Sequence, residues 1–413
     1  MAAFTPLGRA RSAGLGAAFH AFRRVPGGIA IFLLGAMALP AAPDLIVSVN
    51  DAKLVRKTGV DSYPENPGSD TLNLIDASVF PPKIIATVDV ATSIAGPPQA
   101  VAITPDGRIA VVSATNHYDY REKKVVADTY LQVVDLEAKP SRVVGRIELG
   151  QHPQGLSINR AGTLLLAATL GGTVAVLTID GKSVTLREQI KVGEARLSGV
   201  SFTHDGRAAL VGLRDEQGIL VLDVNGTQVT TERERVATGV APYAIDVSSD
   251  GRWAVVSNVG LAGLAGPAGN VGKMFGDVDT ITLIDVAKRP FRAVQHITVP
   301  AVPEAVAISP DGRWIAVQSM NGSNLPAENP GRRPLGRVVL FEIKDGQAIP
   351  RDDVPGGEAG QGMVFTADSR HVLVQFNVDR QLAVYELGGG KLRDTKMRLP
   401  VSGGPTSIRS MPR

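Results

Sequence analysis

The 413-residue chain contains no cysteine. This absence excludes disulfide bonds, a thiol nucleophile, thiolate metal sites and covalently attached haem. The chain also lacks the G-x-S-x-G, H-E-x-x-H and phosphate-loop motifs, so the hydrolase, metalloprotease and nucleotide-binding classes that use them are not indicated. Stability must come from a hydrophobic core, which 44% apolar and 20% charged residues can supply.

Long apolar runs are scarce as well. The run from Ile29 to Leu39 is shorter than the roughly 20 residues that a membrane-spanning helix needs. Arginines precede it, and Ala36-Met37-Ala38 suits a signal peptidase. We therefore predict a secretory signal peptide over residues 1–38, a periplasmic or secreted mature protein and no integral membrane domain. An uncleaved anchor is the alternative, and the export route stays open between general secretory and twin-arginine.

The excess of positive charge belongs to this leader. The whole chain carries a formal charge of +3, but residues 1–38 hold four arginines and no acidic residue, which leaves about −1 on the remainder. A basic surface for nucleic acid or anionic lipid is therefore not expected. We predict one domain over residues 44–413 and a monomer.

A hairpin phrase recurs along the rest of the chain. It reads AVAITPDGRIAVV at 100–112, AIDVSSDGRWAVV at 244–256 and AVAISPDGRWIAV at 305–317. Its two turn residues recur at Asp106-Gly107, Ala161-Gly162, Asp205-Gly206, Asp250-Gly251, Asp311-Gly312 and Asp368-Ser369. Each unit contains four short strand patterns without helical periodicity, which is typical of a β-propeller blade.

The two ends of the chain complete one more blade. GGPTSIRSMP at 403–412 matches only a first strand, whereas the segments that begin at Leu45, Thr71 and Lys83 match the second, third and fourth strands. We predict an all-β, seven-bladed propeller with four-stranded antiparallel blades. Its ring would close where the C-terminal inner strand pairs with the N-terminal strands, which removes exposed sheet edges.

The repeats resemble those of the YVTN-repeat, lactonase-like propeller family. Val255-Val256-Ser257-Asn258 stands in place of the family's Tyr-Val-Thr-Asn tetrad, and DTITLID at 279–285 and PEAVAISPDG at 303–312 match its third strand and its hairpin. The resemblance covers nearly all of the mature chain. It implies a seven-bladed propeller and, by analogy, a lactonase-type hydrolase.

Polar residues stand eight places before the second turn residue of each unit. They are Gln99, Gln154, Ser198, Tyr243, Glu304 and Gln361, with Thr406 in the split blade. We expect a polar ring at the mouth of the central channel. These side chains would either cap strand ends and hold channel water or bind a ligand.

Second strands end in a further polar set. Its members are Asn50, Asn116, Arg214, Asn258, Asn321 and Asn377. Asparagine at a strand end is common for turn reasons. With Glu304, these oxygens could also bind a divalent cation such as calcium, although no firm metal site and no required cofactor are indicated.

Four insertions fall on the same face as these residues. They span Lys57 to Asp70, His117 to Asp128, Val259 to Asp277 and Asn321 to Leu335. Long loops in compact repeats are usually functional or disordered. Arg332 and Arg333 in the last one could clamp a carboxylate or phosphate.

Three functions stay open. The favoured one is an exported, non-enzymatic module that binds a protein, a cell-envelope component or a small ligand through the loop-bearing face. The second is a lactonase-like hydrolase whose candidate catalytic residues are Glu304, His152 and Arg214, with His117 as another candidate base. The third is a partner subunit of a periplasmic redox enzyme.

Overall fold

The computed structural model describes residues 44–260 and 277–413. Every regular element in these two ranges is a β-strand. The predicted signal peptide, residues 1–38, and most of the insertion between Val259 and Asp277 lie outside the described residues. Within the described ranges no helix is long and apolar enough to cross a membrane.

Thirty strands make up the fold. The first ten are β1 (Leu45–Asp51), β2 (Val55–Lys57), β3 (Val60–Ser62), β4 (Thr71–Asp76), β5 (Lys83–Asp89), β6 (Val101–Ile103), β7 (Ile109–Asp119), β8 (Lys124–Asp135), β9 (Arg142–Glu148) and β10 (Pro153–Ile158). The next ten are β11 (Leu164–Thr169), β12 (Thr173–Asp180), β13 (Ser183–Lys191), β14 (Leu197–Phe202), β15 (Ala208–Leu213), β16 (Gln217–Asn225), β17 (Gln228–Val240), β18 (Pro242–Val247), β19 (Trp253–Asn258) and β20 (Thr280–Asp285). The last ten are β21 (Arg292–Thr298), β22 (Pro303–Ile308), β23 (Trp314–Ser319), β24 (Arg337–Lys344), β25 (Gln347–Pro355), β26 (Gly360–Phe365), β27 (His371–Phe376), β28 (Gln381–Gly388), β29 (Lys391–Pro400) and β30 (Gly404–Ser410).

Twenty-eight of these strands form seven four-stranded antiparallel blades. From the axis outward, blade 1 is β30-β1-β4-β5, and blades 2 to 7 are β6–β9, β10–β13, β14–β17, β18–β21, β22–β25 and β26–β29. The seven inner strands contact one another in a closed circle. The predicted all-β, seven-bladed propeller is confirmed.

The predicted closure of the ring is also confirmed. β30 lies beside β1, and the pairing runs from Ile46 opposite Ser410 to Asp51 opposite Gly404. The first and last strands of the propeller therefore hydrogen-bond within one sheet, so blade 1 has the same four strands as the other six.

The core lies between the blades. Each of the seven neighbouring pairs of blades shares its own cluster of buried apolar side chains. Middle strands such as β11 are buried along their whole length, whereas outer strands such as β9 alternate between exposed and half-buried residues. This pattern follows from burial of both faces of a blade by its neighbours, with only the outermost strand at the surface.

The recurring hairpin has a hydrogen-bonding motif that extends beyond the Asp-Gly pair. Two residues before the aspartate stands a serine or threonine whose hydroxyl donates to the aspartate Oδ1, as Thr203 does to Asp205 at 2.7 Å. The same oxygen accepts the N–H of Arg207 at 3.0 Å, and Gly206 adopts φ +68°, a conformation that glycine tolerates best. Blade 3 replaces the motif with Asn159, whose Oδ1 accepts two backbone N–H groups, at 2.9 and 3.0 Å.

The turns and loops lie on two opposite faces. We name the side with the Asp-Gly hairpins the turn face and the side where inner strands begin the loop face. On the loop face, the predicted loop from His117 to Asp128 is wrong: β7 continues to Asp119 and pairs with β8 as a projecting ribbon. Likewise, the insertion after Lys57 contains a second small ribbon, β2–β3.

Candidate functional site

Gln99 crosses the central channel. Its side-chain amide crosses from blade 2 to blade 5, where Nε2 donates to the Ile245 carbonyl at 2.6 Å and Oε1 accepts the Ile245 N–H at 3.2 Å. Gly199 leaves room for this amide, because a Cβ there would collide with Oε1. The Gln99 amide therefore forms a barrier across part of the channel, between blades 2 and 5.

The segment between β5 and β6, residues 90–100, covers the barrier on the loop face. Backbone N–H groups of this segment donate to Asn116 from Ile94 and to Asp51 from Ala95, at 2.8 and 3.3 Å. Ser407 donates to the Pro98 carbonyl at 2.8 Å. Three contacts to two blades fix the segment over the mouth of the channel.

Several other members of the predicted polar ring bind backbone groups. Ser198 donates to the Pro242 carbonyl at 2.7 Å, and Thr406 donates to the Val49 carbonyl at 3.4 Å. Gln361 is 1% exposed, and its Oε1 has no hydrogen-bond partner among the described residues. Gln154 is half-buried at the start of β10.

The asparagines of the second strands also make structural bonds. Asn258 donates to the hydroxyls of Thr280 and Thr282 at 3.1 and 2.9 Å. Asn377 donates to the Pro405 carbonyl at 3.3 Å, and Asn321 occupies a turn position with φ +52°. These contacts bind each asparagine to its own or a neighbouring blade.

Within residues 44–260 and 277–413, no group of three or more histidine, aspartate or glutamate side chains is placed to share a metal ion. The suggested calcium site therefore lacks a cluster of charged ligands in that part of the chain. Asn50 likewise directs its amide nitrogen to Thr71 and Asn73, at 3.0 and 2.7 Å.

Glu304 is the member of the predicted ring that carries a carboxyl group. It lies half-buried at the start of β22, in blade 6. Burial raises the pKa of its carboxyl to about 7, although the nearby charges of Arg214 and Arg56 act in the opposite direction. Near neutral pH this carboxyl can therefore exist in both protonation states, as a proton-transfer group requires.

Arg214 reaches the same place from blade 4. Its guanidinium lies over the ring of Tyr243 in blade 5, with Cζ 4.1 Å from the ring centroid, a cation–π arrangement. One of its nitrogens, Nη1, is buried without a hydrogen-bond partner in the described structure. Burial, and then the charge of Glu304, raise the pKa of the Tyr243 hydroxyl, so this tyrosine stays neutral.

Arg56 approaches from the β2–β3 ribbon of blade 1. Its Nε and Nη2 bind the two oxygens of Asp61 at 2.6 and 2.9 Å. The tip of the ribbon rests on the loop of blade 6, because a Cβ on Gly59 would collide with the backbone of Leu325. The ribbon therefore extends from blade 1 to blade 6 over the loop face.

We name Arg56, Arg214, Tyr243 and Glu304 the Glu304 cluster. It combines a carboxyl of near-neutral pKa with two guanidinium groups, one of which has a buried nitrogen without a hydrogen-bond partner among the described residues. Such an arrangement can transfer a proton and stabilise an oxyanion. The sequence marked three of these residues, whereas Arg56 was missed because only the long-range contact of the ribbon brings it near Glu304.

The two candidate histidines lie elsewhere. His152 belongs to the loop before β10 in blade 3, and the charges that act on Glu304 are those of the two arginines. His117 pairs through Nδ1 with Asp128 at 2.9 Å, beside a cavity of about 270 Å³ between blades 1 and 2. Glu304 therefore interacts electrostatically with Arg214 and Arg56 and with neither histidine.

Arg332 and Arg333, which the sequence suggested as a clamp for a carboxylate or phosphate, bind groups of the protein itself. Arg332 donates to the carbonyls of Ser323 and Leu325, both at 2.7 Å, and pairs with Glu358 at 2.7 Å. Arg332 thus holds its own loop together, and Arg333 donates to the Arg332 carbonyl at 3.0 Å.

No family model and no curated protein matches the sequence. Several solved structures are similar to this chain. A 6-phosphogluconolactonase candidate from Bacteroides fragilis is 15% identical, with 90% of this chain and 99% of that chain covered and a TM-score of 0.66. A periplasmic gluconolactonase from Pseudomonas aeruginosa is 17% identical, with 89% and 99% covered and a TM-score of 0.63.

A further similar structure is hydrazine synthase from Kuenenia stuttgartiensis, which is 20% identical over 77% of this chain and 90% of that one, with a TM-score of 0.56. At such identities the similarity establishes the fold. These similar structures, together with the strand pairing, confirm the propeller fold that the resemblance to lactonase-like proteins implied.

Proposed function

We propose that the protein hydrolyses a lactone, most simply a sugar lactone, at the Glu304 cluster. The observation that carries this proposal is the pKa of about 7 on a carboxyl whose charge interacts with those of two arginines. Lactone opening needs a base for water, a positive group for the oxyanion and an acid for the departing ring oxygen. The cluster offers all three.

In this mechanism the Glu304 carboxylate accepts a proton from water while the water oxygen bonds to the lactone carbonyl carbon. The negative charge that develops on the carbonyl oxygen is stabilised by Arg214, whose Nη1 has no protein acceptor in the described structure. The bond from carbon to ring oxygen then breaks, and Glu304 returns the proton to that oxygen. The product is a hydroxy acid, and the proton count balances.

The remaining cluster members position these groups. Tyr243 supports the guanidinium plane of Arg214, and Asp61 orients Arg56 through two hydrogen bonds. The positive charge of Arg56 suits a substrate that carries hydroxyl or anionic groups. Two of the structurally similar proteins are described as lactonases, which agrees with this proposal.

The test is hydrolysis of glucono-δ-lactone, followed as acid release and corrected for spontaneous opening. Glu304→Gln keeps the size of the side chain and removes the proton acceptor, so kcat/KM is expected to fall by at least about 10²-fold. Glu328→Gln is the matched control, because Glu328 is exposed in the loop of blade 6 on the same face. Equal activity in both variants would refute the role of Glu304.

We also propose that the protein acts outside the cytoplasm. The composition of residues 1–38 supports export, and one structurally similar protein is a periplasmic gluconolactonase. Cell fractionation of the full chain and of a chain without residues 2–38 tests this: the full chain should appear in the periplasm or medium, and the shortened chain in the cytoplasm. Cytoplasmic retention of the full chain would contradict export.

A binding role is the second candidate, and an aromatic surface favours it. On the two loop-face ribbons, the rings of Tyr63 and Tyr118 stack with centroids 3.9 Å apart, and Tyr120 meets Tyr118 edge-on at 5.0 Å. Tyrosines of this kind are common anchors of binding surfaces. The binding module for a protein or cell-envelope component therefore stays a proposal centred on this surface.

Cosedimentation with purified peptidoglycan tests the cell-envelope version. Tyr118→Ser combined with Tyr120→Ser should abolish binding, whereas Phe80→Ser, at an exposed aromatic outside both ribbons, should not. Binding that survives the double change would exclude the tyrosine surface.

The third prediction is that the protein is a subunit of a redox enzyme. Hydrazine synthase shares the propeller fold with this chain. No contact in the described structure favours that role.

A further inference from the structure

A cavity of about 160 Å³ opens on the turn face, at the opposite end of the channel from Glu304. The ends of several inner strands and the C-terminal segment surround it. The bridge between Gln99 and Ile245 lies between it and the loop face. The cavity is therefore a second site, independent of the Glu304 cluster and of the function proposed for it.

Arg409 brings a buried positive charge to this cavity. Its Nη2 donates weakly to the Ile245 carbonyl at 3.4 Å, and its Nη1 lies 3.9 Å from Asp246. Neither contact uses the planar fork of the guanidinium in a paired, bidentate manner. A fork of this kind matches the two oxygens of a carboxylate or phosphate.

Arg160 and His204 add donors at the rim. Arg160 donates from Nη1 to Nε2 of His204 at 2.6 Å. Because a guanidinium group only donates, Nε2 accepts this bond and the ring hydrogen lies on Nδ1. That Nδ1 is buried and has no hydrogen-bond partner among the described residues.

Arginine side chains outnumber carboxylate side chains around the cavity. Arg160, Arg409 and Arg413 line it, and the paired acidic groups are Asp246 and Asp44, the latter bound to Arg413. Asp246 already accepts the N–H of Ile308 at 2.7 Å, and burial raises the pKa of its carboxyl. Asp246 is therefore a weaker ionic partner for Arg409 than a solvent-exposed carboxylate would be.

We propose that this turn-face cavity binds a small oxyanion, either a phosphate or a carboxylate, between Arg409 and Arg160. The anion would complete the hydrogen bonding of the Arg409 fork. The hydroxyls of Ser201 and Ser410, which also line the cavity, provide neutral donors beside it.

The experiment is calorimetric titration of the full protein with inorganic phosphate and, in a second arm, with succinate, both at fixed ionic strength. Binding in the phosphate arm alone identifies a phosphate site, and binding in the succinate arm alone identifies a carboxylate site. Absence of binding in both arms overturns the proposal.

Three variants test the location. Arg160→Gln should weaken binding about tenfold, since it removes a charged donor. Asp246→Asn should strengthen binding, because it removes the opposing negative charge while its side-chain oxygen can still accept the Ile308 N–H. Arg207→Gln, at an exposed arginine in the blade 4 hairpin outside the cavity, should change nothing. Equal losses in Arg160→Gln and Arg207→Gln would show general surface attraction and overturn the site.

Discussion

Single residues decide the chemistry at the loop face, and Arg214 is the first example. Its planar group rests on the ring of Tyr243, while its Nη1 stays free of protein acceptors in the described structure. Lysine would keep the charge but lose the planar contact and the fixed direction of the N–H groups. The proposed oxyanion contact therefore depends on arginine itself.

Arg214→Lys is accordingly expected to lower kcat for lactone opening by about 10²-fold or more, with a smaller change in KM. Tyr243→Ala should have a similar effect because it removes the support for the guanidinium, whereas Tyr243→Phe keeps the ring and should lose less. Steady-state kinetics on purified variants measures this. Similar losses in Tyr243→Phe and Tyr243→Ala would contradict a supporting role for the ring.

Asp279, which lies just before β20, provides a stability test at the same scale. It is 7% exposed, and its Oδ1 has no partner among the described residues. Burial raises the pKa of this carboxyl to about 6, although the backbone N–H of Val302 opposes the shift. The folded protein thus binds the proton more tightly than the unfolded chain, whose value is 3.8.

The free energy of unfolding should therefore fall as pH rises from about 4 to about 6, by roughly 2–3 kcal/mol from this group. Asp279→Asn cannot ionise, so its advantage in stability over the wild type should grow across that interval. Urea unfolding at pH 4, 5, 6 and 7 measures the difference. A difference that is constant with pH would contradict the argument.

At the scale of the element, the hairpin motif explains why the repeat is recognisable. Serine or threonine, aspartate and glycine each meet a local need: a hydroxyl donor, an acceptor for that hydroxyl and a backbone N–H, and a positive φ. These requirements lie within six residues, so they appear in the sequence. The register of whole blades could be predicted for the same reason.

Gly206→Ala should lower the free energy of unfolding by about 1 kcal/mol, because alanine disfavours φ +68°. The added methyl group meets no atom within 4 Å, so the cost is conformational. Gly388→Ala is the matched control, since its Cβ also meets open space and its φ is not positive. Equal effects of the two substitutions on urea unfolding would contradict this explanation.

Other elements could not be predicted, and the reason is also physical. The ribbon of β7 and β8 and the β2–β3 ribbon have polar sequences that resemble loops, and their pairing becomes evident only in the structure. Arg56 was not identified, and the bridging role of Gln99, a member of the predicted ring, was not foreseen, because both act through contacts with residues far away in the chain. Glu304, Arg214 and Tyr243 could be identified because each occupies a repeated position in its blade.

At the scale of the whole molecule, stability depends on closure of the ring. β30 supplies the inner strand of blade 1 and places Ile408 in the apolar cluster between blades 7 and 1. Without it, β1 becomes an exposed edge and two inner strands lose a neighbour. An exposed edge of this kind favours aggregation.

Deletion of residues 403–413 should therefore lower the melting temperature by more than about 10 °C or yield aggregates, because it removes a full strand and its buried side chains. Deletion of Arg413 alone is the control, since it leaves β30 in place and removes the ion pair with Asp44. Scanning calorimetry with light scattering distinguishes the two. A stable, monomeric protein after the longer deletion would contradict the importance of closure.

The central claim is that Glu304 transfers the proton in lactone opening, and its most direct test is the pH dependence of kcat/KM for glucono-δ-lactone, corrected for spontaneous hydrolysis. Because the base is the ionised carboxylate, kcat/KM of the wild type should rise with an apparent pKa of about 7. The residual activity of Glu304→Gln should lack this ionisation. The claim is contradicted if the wild type shows no activity above background or if both proteins give the same profile.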